Sequence, residues 1–464
     1  MTEYPVDKQH SGGLVREFGT FDSTMMMIGL VIGSGIFTTT GIMAGALPSP
    51  GLILIVWIFG GLMTLAGALT YAELGAALPE AGGHYVYLRE AYGPIWGFLF
   101  GWQLFLVAMT GSIAALAVAF AEYFGYFFPA LSTGSYIMNV TLSGDWQYTL
   151  SMGQIVAVVL IVLLSFFNFI GLVFGKIVQN VLSVLKIGII LLFVVLGLTA
   201  GRGTPVDLSL NPMGWGAGGL LTGFGVAFIA VSWAFDGWNN INYIAGEIKN
   251  PKRNLPFALI GGTVIITVLY LLVNYVYFYA LPVEQMAGVV RIAEKATTSL
   301  FGGRTADFIS IAVMISVLGA LHGAVIVGPR VSWAMAKDGV FFQRVADVHP
   351  RFHTPGFSIL IQALWACFLT ITGTFEQLFT FVMFVTIVFW IAGVGAVFVL
   401  RKKRPDLPRP YKTWGYPVVP ALFILVSVAI LFNALSERPV ESLAGVGLTL
   451  IGIPVYYYWK KRTG

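Results

Sequence analysis

Twelve apolar stretches, each long enough to cross a bilayer, run along this chain at 21–46, 51–78, 94–126, 150–171, 177–200, 217–246, 255–281, 305–328, 356–373, 376–400, 417–435 and 440–459. A spanning helix needs about 20 apolar residues. Within hydrocarbon, backbone polar groups are satisfied only in helices or closed barrels. Of the 464 residues, 57% are hydrophobic and 10% charged, against about 25% charged in a soluble domain. A soluble fold cannot hide so much apolar surface. A soluble enzyme, a disordered chain and a disulfide-rich secreted domain are therefore excluded. The expected fold class is an all-α polytopic membrane protein with twelve transmembrane helices. It forms one membrane domain over 1–464, with no soluble insert. The stretches 21–46, 94–126 and 217–246 exceed a simple span and need tilt or a break.

The basic residues sort by side. With the N-terminus inside, 20 of the 26 Lys and Arg fall on inner segments and 5 on outer ones: Arg202, Arg291, Lys295, Arg304 and Arg438. Lys186 lies inside a span. This bias predicts a multi-pass protein of the cytoplasmic membrane with both termini cytoplasmic. The net charge of +5 is then a topology signal and not a nucleic-acid footprint. The run Arg401–Arg404 reads as a topology anchor, with a lipid-headgroup site as the alternative. The tail 1–20 lacks the basic start and immediate apolar core of a cleavable signal, so the first helix is expected to be retained. The lone Cys367 permits neither an intramolecular disulfide nor a cysteine metal cluster.

Two interruptions stand inside these stretches. The first span reads Val31-Ile32-Gly33-Ser34-Gly35-Ile36, and the sixth reads Trp233-Ala234-Phe235-Asp236-Gly237-Trp238-Asn239-Asn240. Both are poor helix sequences at membrane depth. Unwound backbone is tolerated there only where it is buried in protein or lines a cavity. A half-helix N-terminus offers amides to a carboxylate, and a half-helix C-terminus offers carbonyls to an ammonium. Two facing breaks thus make a receptor for a zwitterion such as a free amino acid. Interruptions at corresponding positions of two five-span units, 1–5 and 6–10, point to an inverted repeat with its site between them. Close helix packing on small residues is the alternative for either glycine pair taken alone.

Charge within a span is costly and usually functional. Lys186 reads either as a fixed cation tying span 5 to the first break or as a proton carrier. Asp236 reads either as a partner for a cationic substrate or as a cap on the second half-helix. His322 reads first as a packing residue. Glu73 and Glu122 lie near span ends and read as acids reaching headgroups or loop partners. Trp233 borders the second break and can cover a ligand; Phe235 and Trp238 beside it can equally serve packing.

Gly33-Ser34-Gly35-Ile36-Phe37, Tyr71-Ala72-Glu73-Leu74-Gly75, Asp236-Gly237-Trp238-Asn239 and Glu247-Ile248-Lys249-Asn250-Pro251 occur in one ordered series. With these motifs the chain resembles the amino acid–polyamine–organocation (APC) superfamily, in a prokaryotic branch like the L-type amino acid transporters (LAT). The resemblance implies a LeuT-type 5+5 inverted repeat with helices 1 and 6 broken. The first repeat is then 21–200 and the second 217–400. Helices 11 and 12 occupy 417–459, and 460–464 is a cytoplasmic end. It implies that the backbone amides of Ser34 and Gly35 hold a substrate carboxylate. It assigns the α-ammonium to carbonyls of Val31, Trp233, Ala234 and Asp236, and the gate to Trp233. Lys186 matches a lysine that replaces a sodium ion in sodium-independent members, with Ser316 on the same wall. Ala320 stands where relatives often carry a second hydroxyl, so a sodium site is incomplete. Residues 127–149 lack the cysteine that tethers a glycoprotein subunit in animal L-type transporters, so no disulfide-linked heavy subunit is expected.

The expected activity is sodium-independent transport of L-amino acids, small or medium neutral ones first, by exchange or proton-linked symport. Cationic amino acids or polyamines paired to Asp236 are the alternative. No His-Glu metal motif or paired mid-span acids support an intramembrane enzyme. No catalytic residue, metal or cofactor is expected. The partners are the substrate and the lipid bilayer.

Overall fold

The structure is a computed structural model describing residues 14–143, 146–199, 201–210, 217–303, 306–373, 375–437 and 439–463. The tail before residue 14, with Lys8, lies outside the described residues, as do Arg304 and Arg438 of the charge pattern and Gly464 at the C-terminal end. Among the described residues, nine helical stretches are long and apolar enough to cross a membrane, and Gly219–Ala234 and Gly356–Thr372 are shorter apolar helices. The chain is a mostly helical, multi-pass membrane protein.

The first apolar stretch is two helices, α1 (Thr20–Val31) and α2 (Gly35–Ala46), separated by Ile32-Gly33-Ser34. α3 (Pro50–Ala77) follows, started by Pro50 at its first turn and by Ser49, whose hydroxyl accepts from the Leu52 amide. A short helix, α4 (His84–Tyr92), leads into α5 (Pro94–Gln103), a π-helical turn over Leu104–Ala108, and α6 (Met109–Phe127). The long third stretch thus accommodates its length with a π turn. α7 (Met152–Phe169) opens on a capping box between Ser151 and Gln154, and α8 (Leu172–Thr199) completes the first half.

The second half begins with α9 (Ala217–Ala234), which stops at the second break and resumes as a 3-10 helix, Asn240–Glu247. Then come α10 (Pro251–Ala280), the short α11 (Val283–Met286) and α12 (Ile292–Phe301), and α13 (Ala306–Lys337). α14 (Gly356–Thr372), α15 (Phe375–Lys403), α16 (Val418–Glu437) and α17 (Pro439–Thr463) complete the chain.

Two expectations need correction. The all-α class misses an antiparallel hairpin, β1 (Tyr136–Ser143) and β2 (Trp146–Ser151). Its Tyr136-Ile137-Met138-Asn139-Val140-Thr141 segment is rich in β-branched and aromatic residues, which favour strands, and lies outside the apolar runs that guided the reading. The eighth span does not end at 328. α13 continues through Pro329 to Lys337, and the Ser358 hydroxyl donates to the Pro329 carbonyl at 3.0 Å.

That extension buries Arg330. Its guanidinium grips Glu247 with two hydrogen bonds, 2.7 Å from Nε and 3.1 Å from Nη2, with the side chains 2% and 0% exposed. The Glu247 carbonyl accepts the Glu17 and Phe18 amides at 2.8 and 3.0 Å, and the Lys249 amide donates to the Phe18 carbonyl. The segment before α1 is therefore stitched to the chain beyond the second break. Removing one partner of a buried pair leaves an uncompensated charge, which costs on the order of 3–5 kcal/mol. Glu247→Ala is expected to lower the thermal midpoint of the purified protein markedly, read by its loss of monodispersity on heating in detergent. A midpoint equal to the parent's would show the pair to be dispensable.

Candidate functional site

The two breaks meet. A Cβ built on Gly35 would lie 2.5 Å from Ala234 Cα and 2.9 Å from its Cβ, so the start of α2 packs backbone to backbone on the end of α9. α1 in turn contacts the 3-10 helix Asn240–Glu247. Gly237 turns the chain at φ +92°, and a Cβ there would come within 3.1 Å of the Leu30 carbonyl oxygen. Both the conformation and the approach require glycine.

The carbonyl ends are engaged by side chains from neighbouring helices. Lys186 of α8, 1% exposed, donates from Nζ to the Gly29 and Ile32 carbonyls at 2.7 Å each. Ser316 of α13 donates to the same Ile32 oxygen at 3.3 Å. The Tyr270 hydroxyl of α10 lies 3.1 Å from the Val31 oxygen and 2.9 Å from the Ala234 oxygen. It has one proton for two carbonyls, so one acceptor retains capacity for an ammonium. The Trp233 carbonyl accepts from the Asp236 amide at 3.0 Å, and Trp233 is buried. The Ser34 hydroxyl is buried with no hydrogen-bond partner.

The structure thus brings Val31, Gly35, Ala234, Trp233, Asp236, Lys186 and Ser316 around one junction, with Ser34 at the start of α2. Asp236 lies beside the Ser112 hydroxyl and the Gly237 amide. It lines a cavity of about 20 Å³ with Ser112, Gln103, Asn239, Asn240, Tyr243 and Thr386. That volume admits a water-sized group. A larger cavity of about 430 Å³ lies between the hairpin, α2 and α6, lined by Thr38, Glu122, Tyr123, Tyr136 and Gln154 among others. Thr38 is one turn beyond Ser34, whose carbonyl its hydroxyl bonds at 3.0 Å. Elsewhere in the bundle Arg330 pairs with Glu247, and Arg89 reaches Asp338 at 2.6 Å.

Other charged residues at the ends of the spans, and His322, find protein partners. His322 Nδ1 is 3.0 Å from Gln179 Oε1. Glu122 accepts from Thr133. Glu73 takes both ends of the Arg401 guanidinium, at 2.9 and 2.6 Å, and the Thr413 amide. Arg401 also stacks 3.7 Å over Tyr416, Lys403 donates to the Ala91 carbonyl and Arg404 pairs with Glu90. These contacts tie Arg401, Lys403 and Arg404 of the basic run to the protein, while Lys402 is exposed. Phe235 packs on Trp57 and Tyr270, and Trp238 on Tyr71, Trp390 and Phe423.

Sequence reasoning missed three features. A single tyrosine in an apolar span gives no signal, so Tyr270 was invisible. Glu247 and Arg330 were legible as charges, but not as a buried pair. Gln103 lay in a stretch read only for its length.

Two broken helices whose free ends converge inside a helical bundle define a membrane carrier and not an enzyme. The chain belongs to the amino acid permease family, whose profile matches residues 18–453. It is 33% identical to the serine/threonine exchanger SteT of Bacillus subtilis, over 97% of this chain and 98% of that protein. It is 28% identical to the branched-chain amino acid permease BcaP of Bacillus subtilis, over 97% and 94% of the two chains. It is also 28% identical to the b(0,+)-type amino acid transporter 1 of Homo sapiens, over 96% and 88%. The expected resemblance to the APC superfamily and its L-type branch is borne out.

Proposed function

We propose that the chain is a sodium-independent secondary transporter. It moves L-amino acids, small to medium neutral ones foremost, across the cytoplasmic membrane by alternating access, as an exchanger or a proton-linked symporter. The observation that carries this reading is the junction itself: the amide end of α2 and the carbonyl ends of α1 and α9 converge within contact distance. A carboxylate suits the amides of Ser34 and Gly35. An ammonium suits the carbonyls of Val31, Trp233, Ala234 and Asp236. Lys186, held by two carbonyls, occupies the place of a bound cation, with Ser316 beside it. Trp233 acts as the gate.

The twelve-span inverted repeat is part of the proposal. Its support is that corresponding helices pack on one another: α3 on α10, α6 on α13 and α7 on α14. The cytoplasmic placement of both ends rests on the lysine and arginine bias and makes the Arg330–Glu247 cluster the inner seal. Moving an amino acid inward then requires Gly35 and Ala234 to separate and that seal to open. The relatives' names cover hydroxylated and branched-chain substrates and so support amino acids without choosing a side chain.

Transport of cationic amino acids is a second reading, favoured by the half-buried Asp236 beside the junction. Uptake of a panel of labelled L-amino acids into liposomes holding the purified protein, with and without sodium and a proton gradient, tests the proposal. No saturable uptake of any of them would end it. Asp236→Asn is expected to leave neutral substrates preferred over arginine and lysine. A selective loss of arginine and lysine uptake in that variant would establish the second reading.

A further inference from the structure

Another cavity, of about 580 Å³, opens between the loop that follows α13, the start of α14 and the end of α17. Its size falls within the range of about 300–1,000 Å³ typical of ligand pockets. Two guanidiniums, Arg344 and Arg462, stand there among the rings of Phe341, Phe342, Phe357 and Trp459. Arg344 belongs to a 3-10 turn, Gln343–Ala346, and Arg462 to the last turn of α17. Phe342 meets Trp459 edge-on, with ring centroids 5.0 Å apart. The Arg462 guanidinium lies over the Tyr458 ring at 5.2 Å, a cation–π contact that steadies it.

The charge of this cavity is unbalanced. Arg89, Arg330 and Arg404 find carboxylates. Arg344 and Arg462 are exposed and find none among the described residues, and no described acid lines the cavity. Lys460 and Lys461 add to the same last turn. Guanidinium forks match the oxygens of a phosphate and bond it in pairs.

The aromatic wall continues along a span. Phe357, Leu360, Leu364 and Phe368 are all exposed and recur at three- and four-residue spacing, which makes one stripe of α14. The stripe begins at the cavity and offers an apolar track that a soluble anion cannot use and an acyl chain can. On the lysine and arginine bias, this end faces the cytoplasm. Basic pockets between helices on that side bind anionic headgroups.

We propose that this cavity is a binding site for an anionic phospholipid of the inner leaflet. The phosphodiester sits between Arg344 and Arg462, and an acyl chain follows the stripe of α14. The lipid then ties the loop after α13 to the last helix, two elements that belong to distant parts of the chain.

The test heats the purified full chain in a neutral detergent with dioctanoyl phosphatidylglycerol, dioctanoyl phosphatidylcholine or sodium phosphate, and reads the thermal midpoint from the loss of monodispersity. Phosphatidylglycerol is expected to raise the midpoint by several degrees, as a ligand held only by the folded chain does. Phosphatidylcholine is expected to raise it less than half as far, because its ammonium meets the arginines. Replacing both arginines, Arg344→Gln with Arg462→Gln, is expected to abolish the difference between the two lipids. Lys402→Gln, at another exposed basic residue, is expected to preserve it. Arg462→Gln alone is expected to remove at least half of the difference and serves if the double variant does not assemble. Equal shifts with the two lipids, a difference that survives loss of the arginines, or one lost equally in Lys402→Gln would overturn the proposal. A shift with sodium phosphate as large as that with phosphatidylglycerol would assign the cavity to a soluble anion and overturn it as well.

Discussion

Gly35→Leu is expected to abolish L-amino acid uptake, reducing it to the level of empty liposomes. The reason is geometric. At this position even a Cβ would lie 2.5 Å from the Ala234 backbone, and a leucine would force the two broken helices apart. The same side chain would cover the amides at the start of α2, where the proposed carboxylate site lies. Neither effect can be relieved by a rotamer, because the obstructing atoms are backbone. Gly45→Leu supplies a matched control on the same helix. Gly45 is exposed, with the Gly288 amide nitrogen 4.0 Å from its added Cβ as the nearest atom. It should keep uptake within about twofold of the parent, as surface changes usually move stability by only about 0.5 kcal/mol. Normal uptake by Gly35→Leu would remove the first break from the binding site.

Lys186→Ala is the second large effect. The substitution removes both hydrogen bonds from Nζ to the Gly29 and Ile32 carbonyls. Ser316 retains a 3.3 Å contact with the Ile32 oxygen, whereas the Gly29 oxygen loses its bond from Nζ. Unsatisfied buried carbonyls cost about 1–3 kcal/mol each, enough to unseat the end of α1 from its working position. Uptake in sodium-free buffer is expected to fall at least tenfold, measured as initial rate per reconstituted protein. Added sodium separates two roles. Recovery of uptake by sodium would mark Lys186 as a fixed stand-in for a cation. Continued loss in sodium, together with loss of any response to a proton gradient, would mark it as a proton carrier. An unchanged rate without sodium would leave it neither.

Much of the architecture was legible before any coordinates. Hydropathy located the helices because a bilayer imposes length and composition on any segment that crosses it. The Gly-Ser-Gly triplet and the Asp-Gly-Trp-Asn run exposed the breaks, since such residues conflict with their apolar surroundings. What escaped were features defined by partners far along the chain. Arg330 fell just beyond the eighth apolar stretch, 305–328, and only the packing of α13 on the 3-10 helix reveals Glu247 as its mate. The hairpin escaped because its strands lie between the apolar stretches that mark the spans.

The sequence by itself determined that this chain lives in a membrane, where its helices weaken and which few charges enter the bilayer. Solvent dictates these, and each residue meets that demand locally. The tertiary structure alone decided which weak points touch. Gly35 and Ala234 lie about two hundred residues apart, and their contact depends on how the halves pack. It likewise decided that Lys186 holds the end of α1, that Tyr270 spans two carbonyls and that Gln103 and Ser112 line one cavity. Hydrogen bonds are short and directional, so such partnerships exist only once the helices have been placed.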